Sequence, residues 1–174
     1  MIEKLPKDDK HFHWKKLGVA ASADPQLKLE TLENMIKANG HENTSGMFLK
    51  MDIEGYEWEV LNSLSPGFLE KFDQLIFEFH GLIDYSDEKA VAEHLAAFEK
   101  LSKTHQAVHV HANNSGLVNY FGNLITSDLI EVTYVLREKY KFSDEKVKSM
   151  WLSLDRPNIT GREDIELGAW NVDE

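Results

Sequence analysis

The chain contains no cysteine, so disulfide scaffolds, zinc–cysteine centres and thiol nucleophiles are excluded. No stretch approaches the ~18–20 apolar residues that cross a bilayer. Residues 1–16 are polar and charged, with no apolar run of signal-peptide length, so no targeting segment is expected and the compartment stays open. Positive charge is also short. Acidic residues outnumber basic ones 30 to 19, for a formal net charge of −11. A general nucleic-acid binder or an anionic-membrane binder needs positive surface, so neither partner is expected. There are no internal repeats and no low-complexity segment.

What is present is ordinary for a soluble globular protein: 42% hydrophobic and 28% charged residues. The 174 residues suit one domain and are enough to bury a real core. The reading is a single domain over 1–174, with a polar lead-in (1–16), an α/β core (17–138) and a polar tail (139–174).

Within that core, Leu17-Gly-Val-Ala-Ala reads as a short strand, and Asp24-Pro25 breaks the chain. Leu29, Leu32 and Ile36 follow at helical spacing, with Gly40 placed as a C-terminal cap, which predicts a helix near 31–39. Met47 to Ile53 reads as a strand. Trp58, Leu61 and Leu64 fall on one side of a short helix stopped by Pro66. Gln74 to His80 reads as a strand and Asp87 to Lys103 as the clearest helix, capped by Ser86 or Asp87. Ala107 to Ala112 and Leu129 to Arg137 read as two further strands, separated by a long loop from 113 to 127. One further helix is expected at 144–152. Alternating strands and helices predict a mainly parallel sheet with an antiparallel strand near its end.

In open α/β sheets, ligands bind beyond the carboxyl ends of the strands. Three of these ends carry paired polar residues at a spacing of two: Lys50, Asp52 and Glu54; Glu78 and His80; His109 and His111. Buried parallel strands usually read as continuous apolar runs, and ionisable groups there cost free energy unless paired or used. Three such ends together point to a site. The same groups suit a divalent metal, although no fixed-spacing ligand motif such as H-E-x-x-H is present.

The run from Phe48 to Leu61 closely resembles the signature of the FkbM-type S-adenosylmethionine-dependent methyltransferases. In that signature a strand ends lysine-x-aspartate-x-glutamate-glycine, followed by a glutamate and a helix ending in leucine. Lys50, Asp52, Glu54, Gly55, Glu57 and Leu61 match. His11 to Ala20 resembles the family's third strand, Leu29 to Leu32 the lead into its next helix, and Gln74 to Gly81 its fifth strand. His111-Ala-Asn113-Asn114 and Leu154-Asp155-Arg-Pro157-Asn158 resemble a related methyltransferase-like branch found widely in animals.

The resemblance implies a partial Rossmann-like sheet of the class I methyltransferase kind. The activity it implies is S-adenosylmethionine-dependent methyl transfer to an oxygen of a sugar or other small polar acceptor. It implies that Asp52 and Glu54 orient the cofactor's amino end or the acceptor hydroxyl. Glu78 or His80 would act as general base, and His111 and Asn114 would position the acceptor or a metal. Ala21, Ser22 and Asp24 would lie where such folds contact adenine, with Asp52 and Gly55 also on the cofactor. Gly55 equally suits a strand-to-helix turn with an unusual backbone angle. The family binds its cofactor with a glycine-rich turn after the first strand, and this sequence has no G-x-G. The resemblance therefore implies that the first two strands, which normally sit mid-sheet, are missing from this chain. Two alternatives stand beside it. One is a silent relative that binds a ligand, or whose exposed sheet is covered by a homodimer or partner chain. The other is a metal-dependent hydrolase or lyase using the histidine and carboxylate cluster.

Overall fold

The computed structural model describes residues 10–82, 85–121, 124–143, 145 and 151–168. The expected helix at 144–152 falls mostly outside them. Two short strands come first, β1 (Gly18–Val19) and β2 (Leu29–Glu30), paired in parallel. Leu29 therefore belongs to a strand and not to the predicted helical stripe. Helix α1 (Leu32–Ala38) starts directly after it, with the Thr31 hydroxyl accepting from the Asn34 N–H. That cap satisfies one of the free donors of the first turn.

The main sheet is built from β3 (Met47–Met51), β4 (Phe72–His80), β5 (His105–Ala112) and β8 (Leu129–Leu136). Helices α2 (Glu57–Ser63) and α3 (Pro66–Leu69) join β3 to β4, and α4 (Glu88–Thr104) joins β4 to β5. The predicted loop at 113–127 instead contains a small hairpin, β6 (Val118–Phe121) and β7 (Leu124–Ser127).

The order across the main sheet is β3-β4-β8-β5. β3 pairs with β4 in parallel, while β8 lies antiparallel to both β4 and β5. The expectation of a mostly parallel sheet is corrected to a mixed α/β sheet. β3, β4 and β5 all run the same way, as crossover helices require. The reason for the difference is that β8 returns from β5 without a crossover and inserts between β4 and β5, so most ladders become antiparallel.

Alternation sorts the side chains of the sheet. Leu75, Phe77 and Phe79 of β4 and Ile130, Val132 and Tyr134 of β8 are buried. The helices cover this face. Trp58 of α2 stacks on Phe79 at 4.6 Å, and Phe98 of α4 meets the same ring at 5.2 Å. Lys100 of α4 donates from one ammonium to the carbonyls of Leu61, Asn62 and Leu64 at 2.6–2.8 Å. It thereby closes the C-terminal end of α2, where free carbonyls and the helix dipole favour a cation. The other face carries Lys50, Gln74, Ile76, Glu78, His80, Glu131 and Thr133, none of them fully buried. Residues 151–168 reach this face over β5 and β8.

His105 ties the base of the sheet together. Its Nε2 donates to the Phe72 carbonyl at 3.0 Å, which leaves Nδ1 to accept from the Thr104 hydroxyl at 2.8 Å. The ring is fully buried, and burial pushes its pKa below the ordinary value of 6.5. The folded state therefore binds this proton less readily than the unfolded state. Stability from this group is fully present above pH ~6.5 and declines as the pH falls below it. Urea unfolding between pH 8 and pH 5 is expected to show that decline, and His105→Gln is expected to flatten it. An equally steep decline in the variant would assign the pH dependence elsewhere.

Candidate functional site

The carboxyl ends of β3, β4 and β5 lie along one rim of the sheet, and β8 begins there. On the uncovered face a row of polar groups runs along this rim. Asp52 follows β3 and lies 3.7 Å from the Lys50 ammonium. Glu78 of β4 comes next and accepts a 2.7 Å hydrogen bond from the Asn113 amide. Glu131 of β8 stands directly opposite Glu78 in register and accepts from Asn158 at 2.9 Å. His111 of β5 is in register with Glu131 on the far side, with Nδ1 3.7 Å from its carboxylate. Burial, with the Asp52 and Glu131 carboxylates adding to it, holds Glu78 above the usual carboxylate range; the Asn113 hydrogen bond works against this.

A second branch starts from the turn after β3. That strand ends at Met51, so Glu54 is not carried to the site by strand alternation, as the spacing of two predicts. It arrives through two successive left-handed residues, Glu54 (φ 58°) and Gly55 (φ 101°). Gly55 thus fills the turn position that the sequence suggested, where a side chain would be strained. Glu57 holds the turn shut: its fully buried carboxylate accepts from the Ile53 N–H at 2.7 Å and the Gly55 N–H at 3.0 Å. The same carboxylate lies 3.2 Å from His80 Nδ1, while His80 Nε2 lies 3.6 Å from Glu54. The Trp58 indole donates to the His80 carbonyl at 2.8 Å and fixes the strand end from the helix side.

Asp52, Glu54, Glu78 and His80 therefore come together, as their positions at the strand ends suggest. His111 stands at the other end of the row. It is only 7% exposed, and its Nε2 donates to both oxygens of Asp164 at 3.2 Å, which ties the tail to the sheet. His109 does the same with Asp155 at 3.0 Å. Asn114 accepts from the Ile159 N–H at 2.7 Å and donates to the Ile159 carbonyl at 3.2 Å, a third tie to the tail. Replacing Asp164 by Asn leaves a buried imidazole beside a neutral group. It is expected to cost ~1–3 kcal/mol and to speed amide exchange across 151–168. Unchanged exchange there would show that the pair does not hold the tail.

Ala21, Ser22 and Asp24 sit just beyond β1, and no contact described joins them to the row. The Asp24 carboxylate accepts from the N–H groups of Gln26 (2.8 Å) and Leu27 (3.2 Å), closing its own turn. Glu57, Glu131, Asn113 and Asp164 are site residues that the strand-end pattern does not single out. Glu57 and Asn113 stand in the runs that carry the family resemblance, and Glu57 also left a local signal, a carboxylate in the first turn of α2, where backbone donors are free. On the helix side, a cavity of about 220 Å³ lies among Leu82, Leu95, Phe98 and Ile130. None of the described residues lining it is a carboxylate, and none belongs to the polar row.

A mixed α/β sheet with helices on one face carries acidic and imidazole groups at the strands' carboxyl rim, the edge at which open α/β sheets bind ligands. Residues 22–106, just under half of the chain, match the family model of the methyltransferase FkbM domain. This stretch is thus similar to the methyltransferase domain of the family that the Phe48–Leu61 run resembles. No curated protein and no solved structure gave a significant match. Among the described residues no helix is long and apolar enough to cross a membrane.

Proposed function

We propose that the chain supports S-adenosylmethionine-dependent transfer of a methyl group to an oxygen of a sugar or other small polar acceptor. The observation that carries this reading is the carboxylate and imidazole rim at Asp52, Glu54, Glu78 and His80, inside the segment matched to the methyltransferase domain. The rim fits the charged amino-acid end of the cofactor, whose ammonium suits Asp52 and Glu54. For the adenosine end the described residues supply no glycine-rich turn, and the Asp24 carboxylate is engaged in its own turn. When bound, the cofactor supplies an electrophilic methyl group.

The chain's own part is to hold the acceptor hydroxyl and remove its proton. Glu78 suits this role: Asn113 donates to its Oε1 and leaves Oε2 to take the proton. His80 stands one strand pleat further out as the alternative base. Calorimetry with S-adenosylmethionine tests the reading. Heat of binding together with methyl incorporation into a sugar acceptor supports it, and no heat at millimolar cofactor sinks it for this chain.

A second reading rests on a different observation. β3 is an edge of the main sheet, its outer side bears no pairing among the described residues, and Phe48 on it is 59% exposed. Unpaired edges invite strand addition. A homodimer or partner chain along β3 would make the domain a binding module. Light scattering after size exclusion separates the two readings, since a monomer at all concentrations counts against self-pairing.

A further inference from the structure

We propose that Asp52, Glu54 and His80 form a binding site for one divalent cation of the Mn²⁺ type, with Glu57 as the positioning residue behind the histidine. One ligand atom from each of the three side chains lies within 4.8 Å of the others.

The argument starts at His80 Nδ1. This atom is buried and makes no well-aligned hydrogen bond, yet it faces the Glu57 carboxylate at 3.2 Å. Glu57 is fully buried and anchored by two backbone N–H groups, so it cannot turn away. With its proton on Nδ1, facing that carboxylate, the ring would present the Nε2 lone pair outward. Metal-bound histidines characteristically carry such a carboxylate on the second ring nitrogen.

Outward of Nε2 stand the carboxylates of Glu54 and Asp52. A lone pair aimed at two anions is repulsive, and a positive species between them relieves it. The Glu54 oxygen lies 3.6 Å from Nε2. With metal–ligand bonds of ~2.1 Å, two ligands on one ion stand roughly 3.0 Å apart when adjacent and roughly 4.2 Å apart when opposite. The 3.6 Å between His80 Nε2 and Glu54 falls in that range.

Two carboxylates and one imidazole form a mixed hard and borderline set, suited to Mn²⁺ or Zn²⁺ better than to Mg²⁺ or Ca²⁺. The Glu54 side chain is 87% exposed, so the remaining coordination positions open to solvent and to an oxygen ligand. The ion and the cofactor's ammonium would draw on the same two carboxylates, so the titration is made without cofactor and is read separately from the function proposed above.

The test is titration of the full chain with Mn²⁺, read by loss of the free-ion electron paramagnetic resonance signal. A background of ~0.15 M salt screens the acidic surface. One ion per chain is expected. Asp52→Asn and His80→Gln should each weaken it about tenfold or more, and Glu57→Gln by a similar factor through the ring it orients. Glu33→Gln, an exposed acidic change on α1, should leave it unaltered. If Glu57→Gln does not fold by circular dichroism, Asp52→Asn and His80→Gln decide the matter. Failure to bind Mn²⁺ at ~1 mM, or equal affinity in the wild type and in both of these variants, overturns the proposal.

Discussion

Replacing Glu78 by Gln is expected to lower the rate of the proposed methyl transfer by about 10²–10⁴-fold, the usual worth of a positioned general base. The variant should fold at least as well as the wild type. Gln still accepts from the Asn113 amide, so the side chain keeps its place. It also removes one of two carboxylates that face each other directly across β4 and β8, and like charges in that position destabilise a sheet. Loss of activity with an unchanged or raised melting temperature is the signature of a group held for chemistry against the interests of stability. A rate within threefold of wild type would remove Glu78 from the reaction and leave His80 as the base.

The largest effect on stability is expected from Phe79→Ala. Phe79 is fully buried, stacks on Trp58 at 4.6 Å and on Phe77 at 5.2 Å, and meets Phe98 edge-on at 5.2 Å. Truncation removes the ring on which α2 and α4 both rest, and should cost ~3–5 kcal/mol. That is a large part of the ~5–15 kcal/mol that holds a domain folded, so an unfolded variant agrees with the argument too. Urea unfolding measures it; a loss below ~1 kcal/mol would mean the helices are held elsewhere. Because Phe79 lies between Glu78 and His80 in β4, the same strand buries one face for stability and presents the other for chemistry.

Much of this was legible in local sequence. The alternation Leu75, Phe77, Phe79 against Glu78 and His80 sets which side of β4 is buried, since side chains alternate whatever the strand pairs with. The Thr31 and Asp87 caps and the turn at Gly55 are likewise local, each decided by side-chain hydrogen bonding or backbone freedom within a few residues. So is the placement of Asp52, Glu78 and His80 at strand ends, and with it the methyltransferase resemblance, whereas Glu54 reaches them through the turn after β3. The two strands of the 113–127 hairpin were not legible. Val118 to Phe121 and Leu124 to Ser127 are four residues each, Val118 to Tyr120 and Leu124 to Thr126 bury no side chain fully, and pairing across the hairpin supports their extended form.

The tertiary structure alone decided three things. The first is that β8 inserts between β4 and β5, which turns an expected parallel sheet into a mixed one and sets Glu131 opposite Glu78. The second is the partner of His111: Asp164 lies 53 residues away, and no spacing announces such a pair. The third is that the Glu57 carboxylate turns inward behind His80 rather than outward to water. Sequence by itself placed Asp52, Glu78, His80 and His111 at the carboxyl rim, because periodicity acts over a few residues. Which of those groups meet, and which are already committed to holding the tail, depends on long-range pairing, and only the folded chain brings those partners within bonding distance.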